Sequence, residues 1–117
     1  MFRYLMLLLS SFICYSTTAQ TFTSSVNEIV PDDGSAWNIP IEVTGLPATL
    51  NAAWGLVQVC LNMDHSYDSD MDVRLIAPDG TSLLLFSGIG GFGNNFNNTC
   101  LRFDAGESVA DQSAPFT

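Results

Sequence analysis

The chain contains no lysine, and its three arginines face twelve acidic residues for a formal net charge of −9 at pH 7. So negative a surface repels phosphate backbones and anionic lipid headgroups, which excludes nucleic acid and direct membrane adsorption as partners. Histidine is nearly absent too, with His65 the single copy, and cysteine is limited to Cys14, Cys60 and Cys100. Such a set is too poor in soft ligands for a zinc centre. Beyond residue 20 no apolar stretch keeps helical spacing, so helical bundles are excluded and strands and turns remain.

Where apolar residues do run together, at Leu5 to Cys14, they follow Arg3 and lead to the small residues Thr17-Thr18-Ala19. A basic start, a short apolar run and a small-residue site describe a secretory signal over residues 1–19, with residues 20–117 as the mature domain. The run is too short to cross a bilayer, which takes ~20 apolar residues. A lipid anchor on Cys14 is disfavoured, because Ile13 occupies the place of the small residue that such a site requires. The mature domain is expected to be secreted or at the cell surface, with no membrane contact after cleavage. It keeps all twelve acids and only Arg74 and Arg102. Calcium is the cofactor that such a surface favours, because hard divalent cations take carboxylate and carbonyl oxygens. Solubility alone also explains an acidic exported protein. Cys60 and Cys100 remain as an even pair in an oxidising compartment and are expected to form a disulfide.

Alternation of apolar and polar residues marks the strands. Ile39, Ile41 and Val43, with Pro40 between them, read as an edge strand, and Gly55 to Met63 as a buried one carrying Cys60. Met71 to Ala77 and Thr81 to Phe86 flank Pro78-Asp79-Gly80, where proline presets φ and glycine accepts a positive φ. This pair is expected to be a hairpin. Ser87 to Asn98 reads as a loop and Thr99 to Phe103 as a further strand carrying Cys100. Several short strands joined by polar turns make an all-β sandwich the expected fold.

Three motifs suggest chemistry, and each fails on geometry as it stands. Gly88-Ile89-Gly90-Gly91-Phe92-Gly93 satisfies G-x-G-x-x-G, yet asparagines stand where a phosphate-binding helix must begin. Asp64-His65-Ser66 names a hydrolytic triad, but adjacent side chains in extended backbone point apart. His65 is therefore read as structural, and no residue is assigned a catalytic role. Asp68-Ser69-Asp70-Met71-Asp72 opens like an EF-hand loop, but Val73 stands where a glycine must turn the chain. Two readings of these aspartates stand: a different calcium site built from Asp68, Asp70 and Asp72 with Asn94, Asn95 or Asp104, or a solvated hairpin rim that discourages edge pairing. Trp37, Trp54, Phe92 and Phe96 offer contact area where exposed, with core packing the expected place for most.

The stations in order are Ile41, Val43, Gly45 and Leu46, then His65-Ser66-Tyr67, Ser69-Asp70-Met71-Asp72-Val73, Pro78-Asp79-Gly80-Thr81, Gly90 to Thr99, Phe103-Asp104 and Ser113 to Thr117. This succession resembles the P domain, or P/Homo B domain, of proprotein convertases and subtilisin-like serine proteases over nearly the whole mature chain. Asn94 stands where an aspartate is common in the family, and Ala105 replaces a second acid after Asp104. The resemblance implies a jelly-roll-like β-sandwich, incomplete at its C-terminus, of which residues 20–117 form about the first two-thirds. It implies a non-catalytic module that supports the folding, calcium dependence and stability of a subtilisin-like catalytic domain, and a link to serine-type endopeptidases and proteolysis. Its partners would be that catalytic domain or other extracellular domains. A calcium-dependent adhesion module, or a carbohydrate- or protein-binding β-sandwich of a bacterial surface protein, is the alternative function.

Overall fold

Residues 19–26, 29–51 and 54–117 are described by the computed structural model. The segment read as a signal thus lies outside them, apart from Ala19. Among the described residues, four strands and two short 3-10 turns make up the regular structure: β1 (Val59–Met63), β2 (Asp72–Ile76), β3 (Ser82–Ser87) and β4 (Phe96–Leu101), with turns at Asp68–Asp70 and Val109–Asp111. Two antiparallel sheets result, one from β1 and β4 and one from β2 and β3. The architecture is all-β, as the alternation predicts.

The hairpin of β2 and β3 forms for the reason its turn residues give. Gly80 N–H donates to the Ala77 carbonyl at 2.9 Å, Ala77 N–H to the Thr81 carbonyl at 2.8 Å, and Gly80 adopts φ 86°. Asp79 completes the turn by accepting the Thr81 N–H at 2.8 Å. This bond holds the Asp79 pKa below the ordinary carboxylate value. A bulge between Val73 and Arg74 then leaves Val73 opposite Phe86, aiming both at the same side.

β1 and β4 place Cys60 directly opposite Cys100, with α-carbons 4.0 Å apart and the disulfide closed. The expected pairing is therefore present. It lies on the outer, exposed face, while Val59, Leu61 and Met63 turn inward. Closing a loop across 40 positions removes chain entropy from the unfolded state.

Three expectations need correction. Ile39, Ile41 and Val43 form no strand and are all more than two-fifths exposed. Pro40 has no N–H to give a ladder, and among the described residues no strand pairs with this segment. The strand expected from Gly55 begins only at Val59, where β4 starts to supply partners, and Leu56 and Val57 remain exposed. Phe96, Asn97 and Asn98, read as loop, open β4 instead. Thr99 faces Leu61 and Phe96 faces Met63, so two asparagines oppose one residue, and Asn98 absorbs the extra length at φ 52°. Asparagine tolerates that left-handed conformation better than other residues with a β-carbon.

The core is aromatic. Met71, Phe86, Phe96 and Phe116 are buried, and Leu61, Met63, Val73 and Leu101 pack around them. Phe96, with no solvent exposure, stacks on Phe86 at 4.7 Å and on Phe116 at 4.6 Å between ring centroids. Phe116 is held by its backbone as well, since its carbonyl accepts from Asn97 N–H at 2.7 Å and from the Thr99 hydroxyl at 2.9 Å.

Replacing Phe96 by alanine removes the middle ring of this column and is expected to cost about 3–5 kcal/mol in urea unfolding. Replacing both cysteines by serine is expected to cost roughly 3–4 kcal/mol, read from the same unfolding curves.

Candidate functional site

The Asp-rich turn, the glycine-asparagine loop and the C-terminal segment meet at one place. Residues 68–70 form a 3-10 turn rather than an extended segment, with Met71 N–H returning to the Asp68 carbonyl at 3.3 Å. This turn buries Asp68 completely while Asp70 and Asp72 stay exposed. Asp68 N–H donates to the Gly93 carbonyl at 3.0 Å, and Asp68 Oδ1 accepts from Asn95 N–H at 3.2 Å. Its second oxygen, Oδ2, is buried without a hydrogen bond.

Asn95 is the hinge of the arrangement. At φ 75° it turns its side chain back to accept His65 N–H at 3.1 Å, while its carbonyl accepts Phe116 N–H at 3.1 Å. Gly90, at φ 87°, lies so close that an added β-carbon would sit 2.9 Å from Asp68 Cβ and 2.9 Å from Phe116 Cε2. Gly93 likewise has no room for a β-carbon against Ala114. These glycines of the G-x-G-x-x-G match thus permit close packing of a loop, and the strand β4 comes next where a phosphate site needs a helix.

Of the residues expected to hold calcium, the structure does not assemble the set. Asp72 accepts a hydrogen bond from the Ser87 hydroxyl, and Asp104 forms an exposed ion pair with Arg102 at 2.9 Å. That guanidinium holds the Asp104 carboxyl below its usual pKa. Asp68 meets the backbone of Asn95, the neighbour of Asn94. Among the described residues no three His, Cys, Asp or Glu side chains group as a metal centre.

The consecutive Asp64, His65 and Ser66 do not converge into a triad. Asp64 and Ser66 are exposed, and His65 is tied through its backbone to Asn95. With Asn95 and Asp32 they edge a shallow, open depression. The aromatic residues divide: Phe96 is in the core, Trp54 is 39% exposed, and Phe92 is 88% exposed with its ring edge-on to Tyr67 at 5.3 Å. Phe116 and the burial of Asp68 escape a reading by periodicity. The available signal was the apolar Ala-Pro-Phe run in an otherwise polar tail.

The motif resemblance holds against known proteins. Residues 54–104 match the family model described as the proprotein convertase P-domain, a stretch that spans all four strands and the Asp68 turn. Leupeptin-inactivating enzyme 1 of Streptomyces exfoliatus is 35% identical over 81 residues, covering 68% of this chain and 18% of that enzyme. The chain therefore spans less than a fifth of the length of that curated relative. No solved structure matches it.

Gly90→Ala is expected to destabilise by about 2–4 kcal/mol, combining left-handed strain with the clash. Gly91→Ala, at φ 55° with nothing within 4 Å of the added carbon, should cost only about 1–2 kcal/mol. Equal losses in denaturant titrations of the two variants would show that the contact of Gly90 with Asp68 and Phe116 is immaterial.

Proposed function

We propose that this chain is a secreted, non-catalytic P-domain module that serves a subtilisin-like serine endopeptidase by steadying its catalytic domain. The observation that carries this reading is the P-domain match over residues 54–104. The geometry agrees with it: the conspicuous motif residues are spent on joining loops to the core. His65 ties its backbone to Asn95, and the glycines let the loop pack against Asp68 and Ala114. An accessory domain stabilises a partner by rigid surface burial rather than by supplying reactive groups, and a disulfide-closed β-fold suits that task.

The likeness to leupeptin-inactivating enzyme 1 supports a setting beside a much larger enzyme domain. Acidic character suits an exported module that stays soluble between domains.

The purified chain is expected to show no peptide hydrolysis above buffer, before or after His65→Ala. A subtilisin-like catalytic domain encoded with it should lose activity several-fold faster on warming when produced without residues 54–104. Turnover by the isolated chain that disappears in Ser66→Ala would overturn the reading, as would equal inactivation half-lives with and without the module.

A further inference from the structure

Asn97-Asn98-Thr99 is the one place in the chain where asparagine stands two residues before serine or threonine with no proline between them. That triplet is the acceptor signature for N-linked oligosaccharide, in which the asparagine supplies the nitrogen and the hydroxyl residue is required for recognition. A glycan is bulky, so its asparagine must end on the surface.

The fold treats the two ends of the triplet differently. Asn97 and Asn98 are exposed, with Asn98 at φ 52° taking up the bulge opposite β1, whereas Thr99 is only 6% exposed. A single carbonyl closes both ends: that of Phe116 accepts Asn97 N–H at 2.7 Å and the Thr99 hydroxyl at 2.9 Å. Thr99 is fixed further by its pairing with Leu61, and the disulfide secures the next rung of the same ladder. The acceptor residue is therefore open to solvent while the hydroxyl that recognition requires is spent inside the fold. We propose that Asn97 is an acceptor for N-linked oligosaccharide, open in the unfolded chain and closed once Phe116 docks on β4.

The co-reactant is a polyprenyl-pyrophosphate-linked oligosaccharide presented by its transferase. Asn97 Nδ2 forms a bond to the anomeric carbon of the first sugar while the bond from that carbon to the pyrophosphate oxygen breaks. One amide proton leaves to a base of the transferase, and nothing is oxidised or reduced. A transferase must grip backbone and hydroxyl together, and a strand already paired in a ladder offers neither. A glycan added before folding disturbs no packing afterwards, because Phe96 and Thr99, not Asn97, carry the burial of β4. It stands beside the edge to which Phe116 bridges, where bulk discourages further strand pairing. Export supplies the compartment where such donors occur, whereas the acceptor lies in residues 97–99, so the inference does not rest on the protease partnership.

Transfer in vitro, with purified oligosaccharyltransferase and lipid-linked oligosaccharide, tests the site on the full chain. The open form carries Phe86→Ala, Cys60→Ala and Cys100→Ala, its loss of structure being read by circular dichroism. Alanine is used at position 100 because serine there would make Asn98 a second acceptor. Should strand structure persist, Phe116→Ala is added. The open chain should gain one oligosaccharide, mapped to Asn97 by mass spectrometry. The unaltered, oxidised chain should react at least about tenfold more slowly, because modification then waits on the small opened population. Within the open chain, Asn97→Gln and Thr99→Ala should each remove the product, and Asn98→Gln should keep it. Absence of product in the open chain, attachment at another asparagine, or equal rates in the open and unaltered chains would each overturn the proposal.

Discussion

Everything else in this fold depends on the column of three phenylalanine rings. Phe86 belongs to the β2–β3 hairpin, Phe96 to the β1–β4 ladder and Phe116 to the C-terminal segment, so one stack joins two sheets that share no strand pairing and a segment that bridges only to the start of β4. Two-stranded ribbons are marginal in water by themselves. Burial of one ring between two others gives each ribbon an apolar face to settle on, and offset aromatic contact adds to the area removed from water. The disulfide complements the stack from the opposite side of its sheet: it limits the unfolded chain, whereas the rings favour the folded one.

The polar junction around Asp68 is built on the edge of that stack. Phe116 enters the core only because its backbone is held at both ends, by Asn95 on one side and by Asn97 and Thr99 on the other. Asn95 in turn is oriented by Asp68 and His65. Aromatic burial and the polar junction are therefore coupled, since displacing the loop withdraws a ring from the column. The absence of a side chain at Gly90 lets both fit the same space.

Local chemistry was legible in the sequence wherever neighbours in the chain decide the outcome. Pro78-Asp79-Gly80 announces its hairpin because φ preferences and the Asp79 side chain act within the turn itself. Failure of the dinucleotide and EF-hand matches was readable for the same reason: asparagines come directly after the glycines, and Val73 to Ile76, directly after Asp72, favour a strand. Cys60 and Cys100 were legible as the even pair left once residues 1–19 are read as a leader. Contacts set by distant partners were not. Ile39 to Val43 has the alternation of a strand but pairs with no strand among the described residues, and Asn97-Asn98 enters β4 despite poor β-propensity because the disulfide-linked ladder and the Phe96 stack extend through it. Asp68 looks like its exposed neighbours Asp70 and Asp72 until the 3-10 turn rotates it inward.

That rotation separates two kinds of acid within one motif. Asp70 and Asp72 keep their water, and Asp72 adds a hydroxyl donor from Ser87, so their charges cost the fold little. Asp68 surrenders its water for one amide. A hydrophobic residue of similar size at this place would fill the space without an unpaired oxygen, but it would leave Asn95 N–H without an acceptor and the left-handed turn at Asn95 without support. The carboxyl is thus retained for the position it dictates to Asn95, and through Asn95 to Phe116.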